Sequence, residues 1–85
     1  MERLAREEQD LETAYRQALD KNAEDVTSAV GLGELLAQKG QFEEAERWLA
    51  KALQHREKLV DDGRFVELEL LMVRRKLANQ RSPRL

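Results

Sequence analysis

The 85-residue chain has no cysteine, one proline and one histidine, and aromatic side chains make up only 5% of it. Without cysteine there is neither a disulfide framework nor a thiolate metal site. With proline confined to position 83, no helix interior upstream is interrupted by a missing N–H donor. The longest unbroken apolar run is Leu70 to Val73, far short of a bilayer span. The opening "MERLAREEQDLE" lacks the apolar core of a secretory signal. These readings lead to the expectation of a soluble, cytoplasmic protein with no membrane partner.

What the chain does contain is charge, 38% of its residues, in a background of Ala, Leu, Glu, Lys, Arg and Gln that favours helix. Its formal net charge of −2 conceals an asymmetry, because residues 74–85, "RRKLANQRSPRL", hold five basic side chains and no acidic one. Cations at a helix C-terminus complement the macrodipole, which accounts for this segment without a nucleic-acid partner. The expected organisation is a single helical domain over 1–79 followed by a basic tail, 80–85.

Periodicity divides the domain into about four helices. Leu4, Leu11, Tyr15 and Ala18 share one side of a first helix over about 3–21. "NAED" breaks it and offers Asn22 or Asp25 as the N-cap of a second helix over 26–39, apolar around most of its circumference. Gly40 stops that helix. A third, with Phe42, Ala45, Trp48, Leu49, Ala52, Leu53 and Leu59 on its buried face, is expected to end near Val60, and a fourth runs over 64–79. The second helix carries Gly31 and Gly33 in its interior, each costing about 1 kcal/mol relative to alanine. Ala29, Gly33 and Ala37 form a strip of minimal side chains, and Ala45 and Ala52 form a matching one, so these two helices can approach closely. Gly31 points elsewhere, consistent with close approach by the first helix or by a partner.

Tyr15, Ala18 and Leu19 recur as Leu49, Ala52 and Leu53, an offset of 34 residues. Here the chain resembles the tetratricopeptide repeat, a helix-turn-helix unit of that length. Residues 26–59 resemble one full repeat: Leu32 and Gly33 stand as the Leu-Gly pair, Gly40 and Phe42 as the turn glycine and aromatic, Ala45 as the small residue. Residues 3–25 resemble the second helix of a preceding repeat. Ala29, Leu36 and Glu57 stand where the family has tryptophan, tyrosine and proline; without that proline the third helix is free to run one turn longer. "GRFVELE" at 63–69 echoes "GQFEEAE" at 40–46, but at an offset of 23, so the fourth helix reads as a capping or docking helix. "DDG" before a helix ending "RRKLA" also resembles the tail module of thioredoxin-like co-chaperones.

The resemblance implies an all-α fold of antiparallel hairpins in a right-handed superhelix, acting as a protein-interaction or scaffold module. It also implies no enzyme activity and no cofactor. Its ligands would lie along the first helix of the repeat, at Thr27, Val30, Glu34 and Gln38. Members that grip C-terminal carboxylates use lysine and asparagine where this chain has Val30 and Glu34, so an apolar or basic segment suits this groove better. The fourth helix has two apolar stripes, Phe65, Leu68 and Met72, and Val66, Leu70, Val73 and Leu77. The second stripe is the expected surface for a homo-oligomer or another partner, and a pure oligomerisation element is the rival reading. Chemistry is otherwise sparse. His55 reads as a packing residue, Glu57, Asp61 and Asp62 lack metal-ligand spacing, and "GLGELL" lacks the third glycine of a dinucleotide loop. A DNA-reading helix-turn-helix around Gly40 would set Glu43, Glu44 and Glu46 against phosphates.

Overall fold

The computed structural model describes residues 2–81, with side chains described for Glu7 and for residues 9–81. Four helices follow one another: α1 (Glu2–Lys21), α2 (Val26–Gln38), α3 (Phe42–Leu53) and α4 (Arg64–Arg81). Two 3₁₀ turns, Arg56–Lys58 and Val60–Gly63, connect α3 to α4. No strand occurs among the described residues. Gln80 and Arg81, expected in the tail, continue α4, because nothing in "KLANQR" stops a helix. The rest of that tail, and the side chain of Leu4, lie outside the described residues.

Local chemistry sets the ends of α2. Asp25 caps it: the Ser28 backbone N–H donates to Asp25 Oδ1 at 3.2 Å and the Ser28 hydroxyl to Oδ2 at 2.8 Å. Those bonds, the hydroxyl's first, hold the Asp25 carboxyl below the usual carboxylate range. At the other end Gly40 takes a φ of +82°, Gln41 N–H donates to Leu36 O at 2.9 Å, and Gly40 N–H donates to Ala37 O at 3.0 Å. This paired closure satisfies carbonyls that the helix leaves over and turns the chain straight into α3.

The α2–α3 hairpin is built on small residues. A Cβ at Gly33 would stand 2.8 Å from Leu49 Cγ and 3.4 Å from the Ala45 carbonyl oxygen. Ala29, Ala45 and Ala52 are buried beside it, and Leu32, Leu36 and Leu49 fill the remaining space without solvent contact. Gly31 serves the other neighbour. A Cβ there would fall 2.5 Å from Tyr15 Cζ, so α1 lays its tyrosine ring directly on the α2 backbone. Of the expected α1 stripe, Tyr15 and Ala18 are half-buried, whereas Leu11 remains exposed; the residue that enters the core is Leu19.

Two expectations for the second half are corrected. α3 does not run to Val60 but ends at Leu53. Gln54 and His55 N–H groups bond three residues back, to Lys51 and Ala52, and His55 then leaves helical geometry at φ −122°, ψ 46°. Beyond Leu53 the segment "QHREK" offers no apolar side chain to hold another turn against the core. Leu59 reaches the core from the 3₁₀ connection instead, where it and Leu53 close on Gly63. Asp61, Asp62 and Gly63 all have positive φ (55°, 56° and 78°), a left-handed corner fastened by Arg56, whose Nε donates to Asp62 O at 2.9 Å. The second correction concerns the stripe Val66, Leu70, Val73 and Leu77. It is the inner face of α4, buried with the core of the hairpin, and is not an outer partner surface. A helix whose neighbour is α3 must spend its best i, i+4, i+7, i+11 apolar row on that neighbour.

Ion pairs trim the seams. Arg16 of α1 bridges Glu12 (2.8 Å) and Glu44 of α3 (2.8 Å), and Glu12 also receives Lys39 at 2.7 Å. These partners hold the Glu12 and Glu44 carboxyls below their ordinary range. Arg74 and Arg81 of α4 meet Glu46 (2.9 Å) and Glu43 (3.5 Å) of α3. Two cations of the basic segment are therefore matched by the acidic start of α3.

Gly33→Ala should lower unfolding free energy by about 1–3 kcal/mol through overpacking against Leu49, although alanine is the better helix former. Gly40→Ala meets no neighbouring atom and should lose only about 1 kcal/mol to its left-handed backbone. Urea denaturation of both variants checks this; a Gly33→Ala protein as stable as wild type would refute the close-packing account.

Candidate protein-binding groove

α4 packs along α3 and faces α2 across an open groove of about 650 Å³. The α2 wall is Glu34, Ala37 and Gln38, the floor includes Phe42, Leu49 and Val73, and the α4 wall is Phe65, Glu69, Met72 and Lys76. Spacing explains the last set. Positions 65, 69, 72 and 76 repeat the i, i+4, i+7, i+11 pattern of the buried row, displaced by one residue, so they form the flank of α4 that turns toward α2.

Of the four groove residues expected from the sequence, the structure brings two together. Glu34 and Gln38 line the groove. Val30 is half-buried against the core, and Thr27 is exposed near the start of α2, away from the groove walls. The α4 contribution was not foreseen as part of the groove. Phe65 and Met72 belong to the first of the two apolar stripes on α4, and they line the groove because the other stripe, Val66, Leu70, Val73 and Leu77, takes the place against α3.

Glu69 is the electrostatic anomaly of the site. Its Oε1 is closed off from solvent and lacks a hydrogen-bond partner. Burial first, and then the Glu34 carboxyl across the groove, push Glu69 up to about 7. Two carboxylates cannot donate to each other, so the pair is satisfied internally only when it holds a proton. The other charged groove residue, Lys76, places its Nζ 5.9 Å from the centre of the Phe42 ring. Phe65 and Met72, 65% and 59% exposed, leave the apolar wall open to solvent.

The model of the family described as Tetratricopeptide repeat matches residues 5–64. The chain belongs to the tetratricopeptide repeat family. Nothing matches the chain among curated proteins, and nothing among solved structures. The family match spans α1, the α2–α3 hairpin and the connection as far as the first residue of α4. Within it, α2 and α3 form the tetratricopeptide hairpin proper, with Gly33 against Leu49 at its waist and Gly40 at its turn.

Other candidate chemistry resolves into structure. Trp48 is half-buried on the side of the hairpin away from the groove, its Nε1 donating to Glu44 Oε2 at 3.3 Å and Lys51 Nζ lying 5.4 Å from its ring. His55 is half-buried at the end of α3. Among the described residues no group of three or more His, Asp or Glu side chains is placed to hold a metal ion, and no helix is long and apolar enough to cross a membrane.

The raised Glu69 value carries a sign. A carboxyl that binds its proton more tightly when folded stabilises the protein below its unfolded value, near 4.3, and that contribution is lost as pH rises through about 7. Glu69→Gln should therefore raise the unfolding temperature at about pH 8 by about 4 °C and change it little near pH 5. Thermal melts of the two proteins at both pH values check this; equal shifts at both would contradict a buried, proton-sharing carboxyl.

Proposed function

We propose that this chain is a protein-interaction module that holds a segment of a partner protein in the groove between α2 and α4, and that it acts by binding and not by catalysis. The observation that carries this reading is the open apolar wall of Phe65 and Met72 opposite Glu34, on a chain of a family built for protein contacts. A monomeric domain gains nothing by leaving a phenylalanine and a methionine in water beside a groove, whereas an inserted side chain would cover both. A photo-crosslinking amino acid at position 65 or 72 should capture a protein in the cells of origin, and one at exposed Gln17 of α1 should not. Glu34→Lys, at the groove wall, should weaken the capture while leaving the fold intact. Equal capture from all three positions, or from none, would count against the groove.

A second reading, self-association, is favoured by the far side of α4. Leu68 and Leu71 are each 57% exposed there, opposite the buried row. If copies pair through this face, Leu71→Glu should convert an oligomer to a monomer by light scattering without lowering helicity. Val73→Asp, by contrast, should unfold the chain, because Val73 lies inside. A wild-type monomer at high concentration would dismiss self-association.

A further inference from the structure

The groove has an apolar wall and an acidic one, and the acidic side is unsatisfied. Glu34 and Glu69 approach each other across it from α2 and α4. With both carboxyls ionised, the buried Glu69 Oε1 atom has no hydrogen-bond partner, and no described side chain offers it a donor. A native structure seldom tolerates such an atom unless something else reaches it. The complementary group is a donor bearing positive charge, since it would remove the repulsion between the two carboxylates and satisfy the idle oxygen together. The surrounding Phe65, Met72 and Leu49 require that the rest of the occupant be apolar.

We infer that the groove's occupant is an apolar protein segment carrying one lysine or arginine, whose cationic head enters between Glu34 and Glu69 while its neighbours cover Phe65 and Met72. This rests on the groove being the binding site. Lys76 limits the charge: it stands seven residues, about two turns or 10 Å, along α4 from Glu69, so it disfavours a run of cations and leaves room for one. Its Nζ lies over the Phe42 ring.

Binding of this kind is coupled to a proton. Around Glu69 the charged groups are Glu34 from α2 and Lys76 from α4, while α3 presents only the uncharged Phe42 and Leu49. A cation between the carboxylates drives off the proton that Glu69 holds, so capture strengthens as pH rises through the neutral range and weakens as it falls.

The test is selection of a random-peptide library on the immobilised full chain, followed by affinity measurement on the enriched peptides. The expected peptides carry a single lysine or arginine among apolar residues. Replacing that residue by glutamine, or making Glu34→Gln with Glu69→Gln in the protein, should each weaken binding about tenfold or more, as loss of a charge-assisted contact does. The glutamine pair keeps the shape and removes the repulsion, so folding is preserved, which circular dichroism verifies. Affinity for the selected peptide should also fall from about pH 8 to about pH 5.5 in the wild type and stay level in the double variant. Enriched peptides that are acidic or neutral, yet are lost on Phe65→Ala, would overturn the cation assignment while leaving the groove in place. Peptides indifferent to Phe65→Ala and to the glutamine pair, or no enrichment at all, would overturn both.

Discussion

The approach of α2 to α3 at Gly33 is the constraint on which the remaining arrangement depends. With no side chain on Gly33, Leu49 sits against the α2 backbone, and Ala45 and Ala52 let the two helix axes close along their length. The cost of glycine in a helix is offset by contacts that a bulkier residue would forbid. Once this hairpin is shut, Leu32, Leu36 and Leu49 form a core sealed from water, and both of its flanks become templates. α1 lays Tyr15 on Gly31 on one side, and α4 adds Val66, Leu70, Val73 and Leu77 on the other. Each interior glycine thus admits a different neighbour, Gly33 the helix that follows and Gly31 the helix that precedes.

Much of this could be read without coordinates. The strips of small residues, the stop at Gly40, the cap at Asp25 and the 34-residue recurrence all report local geometry, which is where sequence patterns are most direct. The family match over residues 5–64 agrees with them. What escaped was tertiary in origin. Two apolar rows on α4 compete for the same neighbour, and the longer one, at i, i+4, i+7 and i+11, takes it. Asp61 and Asp62 adopt left-handed φ, a conformation that aspartate tolerates but does not announce. Val66, Leu70, Val73 and Leu77, expected as the outer surface, face inward, and Phe65 and Met72 form a wall of the groove.

The groove itself shows why only some of its residues were legible. Glu34 and Gln38 lie on the first helix of the repeat, where the family resemblance places ligands. Phe65, Glu69, Met72 and Lys76 belong to the site only because a second helix is set across from the first. The electrostatic character of the site is likewise a property of that juxtaposition. Glu69 is not unusual within its own helix; its raised value comes from burial first and then from the Glu34 carboxyl facing it from α2.

The corner between the two 3₁₀ turns and α4 has a consequence for how such a site changes over time. Arg56 joins both the Asp62 carbonyl oxygen and the Glu67 carboxylate, so the corner that leads into α4 is tied at the surface by contacts outside the groove. Substitutions at Arg56, Asp61 or Asp62 would loosen that tie while every residue lining the groove stays the same. The entry to the fourth helix is thereby open to revision from residues that line no part of the groove, with the small-residue contact at Gly33 left as it is.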